Sequence, residues 1–179
     1  MKLSVIALTF AALVLSGCSS LTVEPLPEGL TEQPPADWSK TSARLDQLQH
    51  WELTGKLAVR QPSDSGTAVI NYWKQDRETY ELALSSSFLG MGRTTLEGVP
   101  GLAWWIRGLP GPDGDFRLFF DDKGQLAVIR QLGWEIRYDR WQAFIEGYPH
   151  LPARITAVKG EKRVRVVVTS WNQTDGDSR

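Results

Sequence analysis

The sequence has one cysteine, Cys18, and two histidines among 179 residues. With a single thiol there is no disulfide framework and no cysteine cluster for a metal. His50 and His150 stand at the end of a predicted helix and beside prolines, without the spacing of metal ligands, so no metal site is expected. Charge of one sign is missing too: 20 basic residues face 21 acidic ones. A chain this near neutrality lacks the basic excess of a nucleic-acid binder, and none is expected as a partner. No apolar run is long enough to cross a bilayer as a helix; the longest, Leu3 to Leu15, falls short.

Signatures of chemistry are scarce as well. Ser85, Ser86 and Ser87 lack the Gly-x-Ser-x-Gly elbow of a hydrolase. Gly90 and Gly92 are followed by Gly98 in the wrong place for a dinucleotide fingerprint. Asp121 and Asp122 are adjacent in a predicted turn, and neighbouring positions there point apart, which argues against an acid/base pair. Neither an enzyme nor a cofactor is expected.

What is present begins with an address. Lys2 supplies a basic start, Leu3 to Leu15 the apolar core of an export signal, and Leu15-Ser16-Gly17-Cys18 a small-residue cleavage site. This last tetrad resembles the bacterial lipobox, whose cysteine is acylated before the bond ahead of it is cut. Residues 1–17 are therefore assigned to a lipoprotein signal peptide and Cys18 to lipidation. Several acyl chains at roughly 0.8 kcal/mol per buried CH₂ make a stable anchor. Ser19 and Ser20, with no Asp beside the cysteine, resemble an outer-membrane address on the periplasmic face. Residues 18–36, rich in proline, form the lipid-anchored tether, 37–172 the folded domain and 173–179 a disordered tail.

From Trp38 to Gln49 the apolar positions Trp38, Leu45 and Leu48 recur at helical spacing. Beyond His50 the period drops to two and stays there, which predicts eight or nine antiparallel strands. Trp51, Leu53, Gly55, Leu57 and Val59 share a face, and Val69 and Trp73 share one on the next strand. Tyr80, Leu82 and Leu84 follow, then Phe116, Leu118 and Phe120, then Trp134, Ile136 and Tyr138, and last Val164, Val166 and Val168. Many strands with one apolar side, and few helices to cover it, predict a mainly β fold: an incomplete antiparallel barrel around a hydrophobic cavity. By strand parity Trp73, Leu82, Leu84, Trp134, Ile136 and Tyr138 line that cavity, with Trp105 in its cover.

Two segments stand out from this pattern. Phe88, Leu89 and Met91 are large and apolar between serines and glycines, where turn chemistry selects polar residues. They either wedge into lipid or fold back on the core. The run Leu102-Ala103-Trp104-Trp105-Ile106-Arg107-Gly108-Leu109-Pro110 stops as a helix would, and its tryptophans are either a cap on the barrel or plain core.

Taken together these segments resemble the LolB family, the outer-membrane lipoprotein receptors of the lipoprotein-localisation pathway. The similar parts are the lipobox, the helix before Trp51, Tyr72-Trp73, Phe88-Leu89-Gly90, Trp105-Ile106-Arg107-Gly108-Leu109-Pro110, Gly133 to Tyr138 and Leu151-Pro152. The resemblance implies an open barrel covered by helices. It further implies a monomeric receptor that takes acylated client lipoproteins from a LolA-like periplasmic carrier and inserts them in outer-membrane lipid, and it gives Leu89 the membrane-contact role. The alternative from the residues alone is a lipid-anchored binding protein or scaffold for another hydrophobic ligand. One departure is visible: the family has a further hairpin and a lid helix between Glu97-Gly98-Val99-Pro100-Gly101 and Trp104, and this chain does not.

Overall fold

A computed structural model describes residues 28–77, 79–86 and 101–175. Cys18 and the segment with Phe88, Leu89 and Met91 lie outside the described residues. One nine-residue helix, α1 (Trp38–Asp46), precedes three strands, β1 (His50–Gln61), β2 (Asp64–Asp76) and β3 (Thr79–Ser86). A single helical turn, α2 (Leu102–Trp105), leads to β4 (Phe116–Phe120), β5 (Leu126–Gln131), β6 (Trp134–Gln142), β7 (Leu151–Lys159) and β8 (Lys162–Gln173). No described helix is long and apolar enough to cross a membrane.

The eight strands form one antiparallel sheet in the order β3-β2-β1-β8-β7-β6-β5-β4. Two meanders, β1 to β3 and β4 to β8, are joined by the pairing of β1 with β8. The edge strands β3 and β4 do not pair with each other, so the sheet stays open, as the alternating pattern predicts. Local turn chemistry sets the register of several hairpins. In the β4–β5 turn Asp121 Oδ1 accepts from the amides of Lys123 (3.0 Å) and Gln125 (2.8 Å), and Gly124 takes a positive φ of 73°. In the two-residue β5–β6 turn Leu132 and Gly133 both have positive φ, as a type I′ hairpin requires.

Period-two alternation carries an apolar row straight across the sheet. Leu118, Ile129, Ile136, Ala157, Val164 and Val59 are successive cross-strand partners from β4 to β1. A second row links Leu82, Trp73, Leu53 and Trp171. These rows form the concave side, closed by Leu45 of α1, by Leu48 just after it and by Trp105 and Ile106, all fully buried.

The curvature has a local origin. Irregularities in register fall together near Leu53 to Gly55 against β2, Thr54 to Gly55 against β8 and Ile70 to Tyr72 against β3. Bulges bend and twist a strand, and these three coil the sheet at one level. Gly55 is needed there because a Cβ would stand 2.2 Å from the Val167 carbonyl oxygen.

The bulge also corrects one expectation. Val69 and Trp73 do not share a face: Trp73 is buried, and Ile70 beside it, while Val69 is 45% exposed. The register shift between Ile70 and Tyr72 inverts the alternation midway along β2. The predicted helix is shorter as well, ending at Asp46, and the 102–110 run is one helical turn followed by irregular chain. The stretch read as tether is partly docked, since Thr31 and Phe120 exchange backbone hydrogen bonds of 3.0 and 2.8 Å at the β4 edge.

Candidate functional site: the concave face and its cover

The seven residues expected to line the cavity sit together. Trp73 on β2, Leu82 and Leu84 on β3, Trp134, Ile136 and Tyr138 on β6 and Trp105 on α2 all belong to, or pack against, one apolar cluster on the concave side. Trp134, Ile136 and Tyr138 share a buried face, as three alternate residues of one uninterrupted stretch of strand must. Trp134 approaches Trp105 with ring centroids 6.2 Å apart, so wall and cover touch.

The cover is held by polar contacts under the apolar ones. Trp105 Nε1 donates to Gln131 Oε1 (2.8 Å), which also accepts from the Gly111 amide (2.7 Å). Gln131 Nε2 donates to the carbonyls of Gly111 (2.9 Å) and Asp113 (2.8 Å). One amide from β5 therefore latches both ends of the irregular segment after α2. Tyr138 Oη donates to the Trp105 carbonyl at 2.8 Å, and burial pushes the phenol well above its ordinary value of 10, which keeps it a donor at any physiological pH.

Arg107 ties the cover to α1. Its guanidinium donates to the carbonyls of Leu48 (3.0 Å), Leu45 and Asp46 (3.5 Å each), and its Nε to Ala103 O (3.1 Å). Those carbonyls lie at the C-terminal end of α1, where unpaired acceptors and the negative end of the helix dipole favour a cation. Desolvation lowers the Arg107 pKa, yet an arginine remains charged. Gly108 follows at φ 84°, and a Cβ there would meet the Trp141 ring at 2.5 Å. The tryptophans of this run thus divide: Trp105 is fully buried in the cover, and Trp104 is only half-buried.

Sequence reasoning missed Gln131 and Arg107. A cation inside the apolar run Trp104 to Pro110 is a visible signal, since a charge there must find acceptors. Gln131 carried no such signal, because its partners come from a loop rather than from its own strand.

The concave side is not sealed evenly. Leu82 and Leu84 on edge strand β3, Leu118 on edge strand β4, Val59, and Leu102 and Trp104 on the cover stay partly open to solvent while packing on the core. The partly open apolar surface thus includes residues of both unpaired edges. Among the described residues no group of His, Cys, Asp and Glu is placed to hold a metal ion. What this arrangement can do is shelter apolar matter between a curved wall and a latched cover.

The family profile described as "Outer membrane lipoprotein LolB" matches residues 49–101 and 98–171. An Outer-membrane lipoprotein LolB of Marinobacter nauticus is 54% identical over 194 residues, covering 90% of this chain and 93% of the relative. Proteins of the same description from Ectopseudomonas mendocina and Pseudomonas fluorescens are each 32% identical, covering 88% and 93% of this chain and 91% and 94% of theirs. An alignment of 194 residues that uses 90% of a 179-residue chain leaves roughly thirty positions of the relative without a counterpart here. The profile match falls into two blocks that meet at residues 98–101.

Proposed function

Since this chain belongs to the outer-membrane lipoprotein LolB family, we propose that its concave face receives the acyl chains of lipoproteins from a soluble LolA-like carrier and passes them to the membrane. The protein is an outer-membrane lipoprotein and acts as a lipoprotein receptor. In this reading residues 1–17 are removed, Cys18 carries the anchor and a single copy does the work. The wall is Trp73, Leu82, Leu84, Trp134, Ile136 and Tyr138, with Trp105 above it. The observation that carries the reading is the unbroken apolar row from Leu118 to Val59 lying under a cover that Gln131 ties to β5 and Arg107 ties to α1.

Acyl surface exposed to water costs about 25 cal/mol per Å², so transfer runs downhill without breaking a bond when each station buries more of it than the last. Wall and cover are in contact here, so entry of an acyl chain displaces the cover. The shortened segment after β3 leaves Gly101 to Gly111 as the described part of that cover, which favours easy opening. Phe88, Leu89 and Met91 are assigned to the final contact with lipid.

Transfer from a loaded carrier to liposomes tests the reading. Leu89→Glu is expected to leave the unfolding midpoint unchanged and to accept client from the carrier, but to release it into liposomes at least tenfold more slowly. Release at the unaltered rate would remove the membrane-contact role. Failure of the unaltered chain to take client from the carrier would remove the receptor reading itself.

A further inference from the structure

The convex face of the sheet carries an unusual arrangement of charge. Arg60 on β1 stands directly opposite Arg163 on β8, and Arg140 on β6 directly opposite Arg154 on β7. Like charges in facing cross-strand positions repel and destabilise a sheet. Arg165 is the facing partner of Ala58, and Lys56 lies on the same side, next along β1. None of these six bases forms an ion pair with a described carboxylate. On the same face Glu135 is already claimed by Arg130 (2.7 Å) and Arg137 (2.6 Å), and Arg117 is paired with Glu32. At this end of the sheet Glu135 stands in the same cross-strand row as Arg60 and Arg163, separated from Arg163 by Val158, and Glu161 lies in the β7–β8 turn.

Three of the arginines line a groove. Arg60, Arg163 and Arg165, with Ser65, Gly66 and Thr67 of β2, border an open hollow of about 400 Å³. Because the whole chain is close to neutral, this is a segregation of charge and not a general excess. Arginine forks around a hollow, with Thr67 at its border, match the oxygens of a phosphate group.

We propose that this groove docks on anionic lipid headgroups, seating the convex end of the sheet on the bilayer. The choice of a membrane over an acidic protein rests on the length of chain that precedes the fold. Twelve residues stand between Cys18 and Thr31, which is fixed on β4, and fully extended the thirteen steps reach at most about 45 Å. The acyl anchor therefore keeps the fold within that reach of a phosphate surface, and each contact becomes an intramolecular one. The groove lies at the end of the sheet where β1 ends and β8 begins, towards which β3 runs before residue 87. Headgroup binding there orients that end to the bilayer. The proposal rests on the membrane location given above and not on acyl hand-over.

The test uses the chain from Ser19 onward, which holds every element of the fold and no acyl anchor. Its binding to vesicles of phosphatidylethanolamine with phosphatidylglycerol is compared with binding to vesicles of phosphatidylethanolamine and phosphatidylcholine, over a range of salt. Binding is expected on the anionic vesicles, falling as salt rises. Each arginine removed is expected to weaken it about fivefold, so Arg60→Ser with Arg163→Ser lowers affinity about 25-fold. Arg60→Lys with Arg163→Lys, which keeps the charge, is expected to retain most of it. Equal binding by the serine variant, or binding of the unaltered chain that ignores lipid charge, overturns the proposal. So does a serine variant that binds vesicles normally and loses only acceptance of client from the carrier, which would mark the groove as a protein contact. No client is present in the vesicle arms, so their failure leaves the receptor reading standing.

Discussion

Replacing Gln131 by leucine asks whether the cover over the concave face is held by the amide latch or by apolar packing alone. The two side chains are close in size, so the change removes hydrogen bonds with little change in packing. Gln131 is 2% exposed and makes four of them, to Trp105 Nε1, the Gly111 amide, the Gly111 carbonyl and the Asp113 carbonyl. The Asp113 carbonyl is only part-buried and can turn to water. The Trp105 indole and the Gly111 amide cannot do so without leaving the core. A buried donor without a partner costs about 1–3 kcal/mol, so these two cost about 4 kcal/mol at the middle of that range, and the buried Gly111 carbonyl, which also loses its partner, adds to this. The cover can recover part of this by opening, and about 3 kcal/mol corresponds to a more than 100-fold rise in the open population. Urea unfolding of the purified domain is expected to show a loss of about 3 kcal/mol, with stronger binding of a hydrophobic dye below the transition. In a Trp105→Phe background there is one donor fewer to strand, so the same substitution is expected to cost at least about 1 kcal/mol less. A loss below about 1 kcal/mol, together with unaltered dye binding, would show that packing holds the cover and would refute the latch.

Two further outcomes follow from the geometry. Gly55→Ala places a methyl group 2.2 Å from the Val167 carbonyl, so either the β1–β8 pairing shifts or the bulge is lost. A loss of about 3 kcal/mol is expected by chemical denaturation, at the upper end of ordinary overpacking. At the docked tether, hydrogen bonding and charge from Arg117 hold the Glu32 carboxyl below its usual 4.5. A depressed carboxyl adds support above its unfolded pKa and loses it as pH falls through the lowered folded value. The protection of the Thr31 and Phe120 amides, measured against the intrinsic exchange rate at each pH, is therefore expected to fall below about pH 4, modestly because the Glu32 and Arg117 side chains are exposed. Protection that is flat from pH 6 to about pH 3 would separate the ion pair from the docking of the tether.

Much of this protein is written in short-range pattern. The resemblance to a lipobox rests on four consecutive residues, and Trp134, Ile136 and Tyr138 had to share a face once the strand was recognised. The resemblance to the family likewise rested on short runs such as Trp105 to Pro110, and the profile match runs through them. What failed to show was whatever depends on residues distant along the chain. The reversal of faces between Val69 and Trp73 comes from a bulge set by β3. Phe119 and Val128 fall on the outward face by alternation and are nonetheless buried there, with the Arg117 and Arg130 guanidiniums over the Phe119 ring.

By itself the sequence determined the membrane address, the strand periodicity and the apolar wall, because each of these is fixed by neighbours one, two or four positions apart. Only the tertiary structure decided that β1 pairs with β8, which brings Arg60 against Arg163 and closes the apolar row. Tertiary contacts also decided that Gln131 and Arg107 hold the cover. A hydrogen bond or a repulsion between distant residues leaves no periodic trace in the chain; it exists once folding has brought the two groups within a few ångströms.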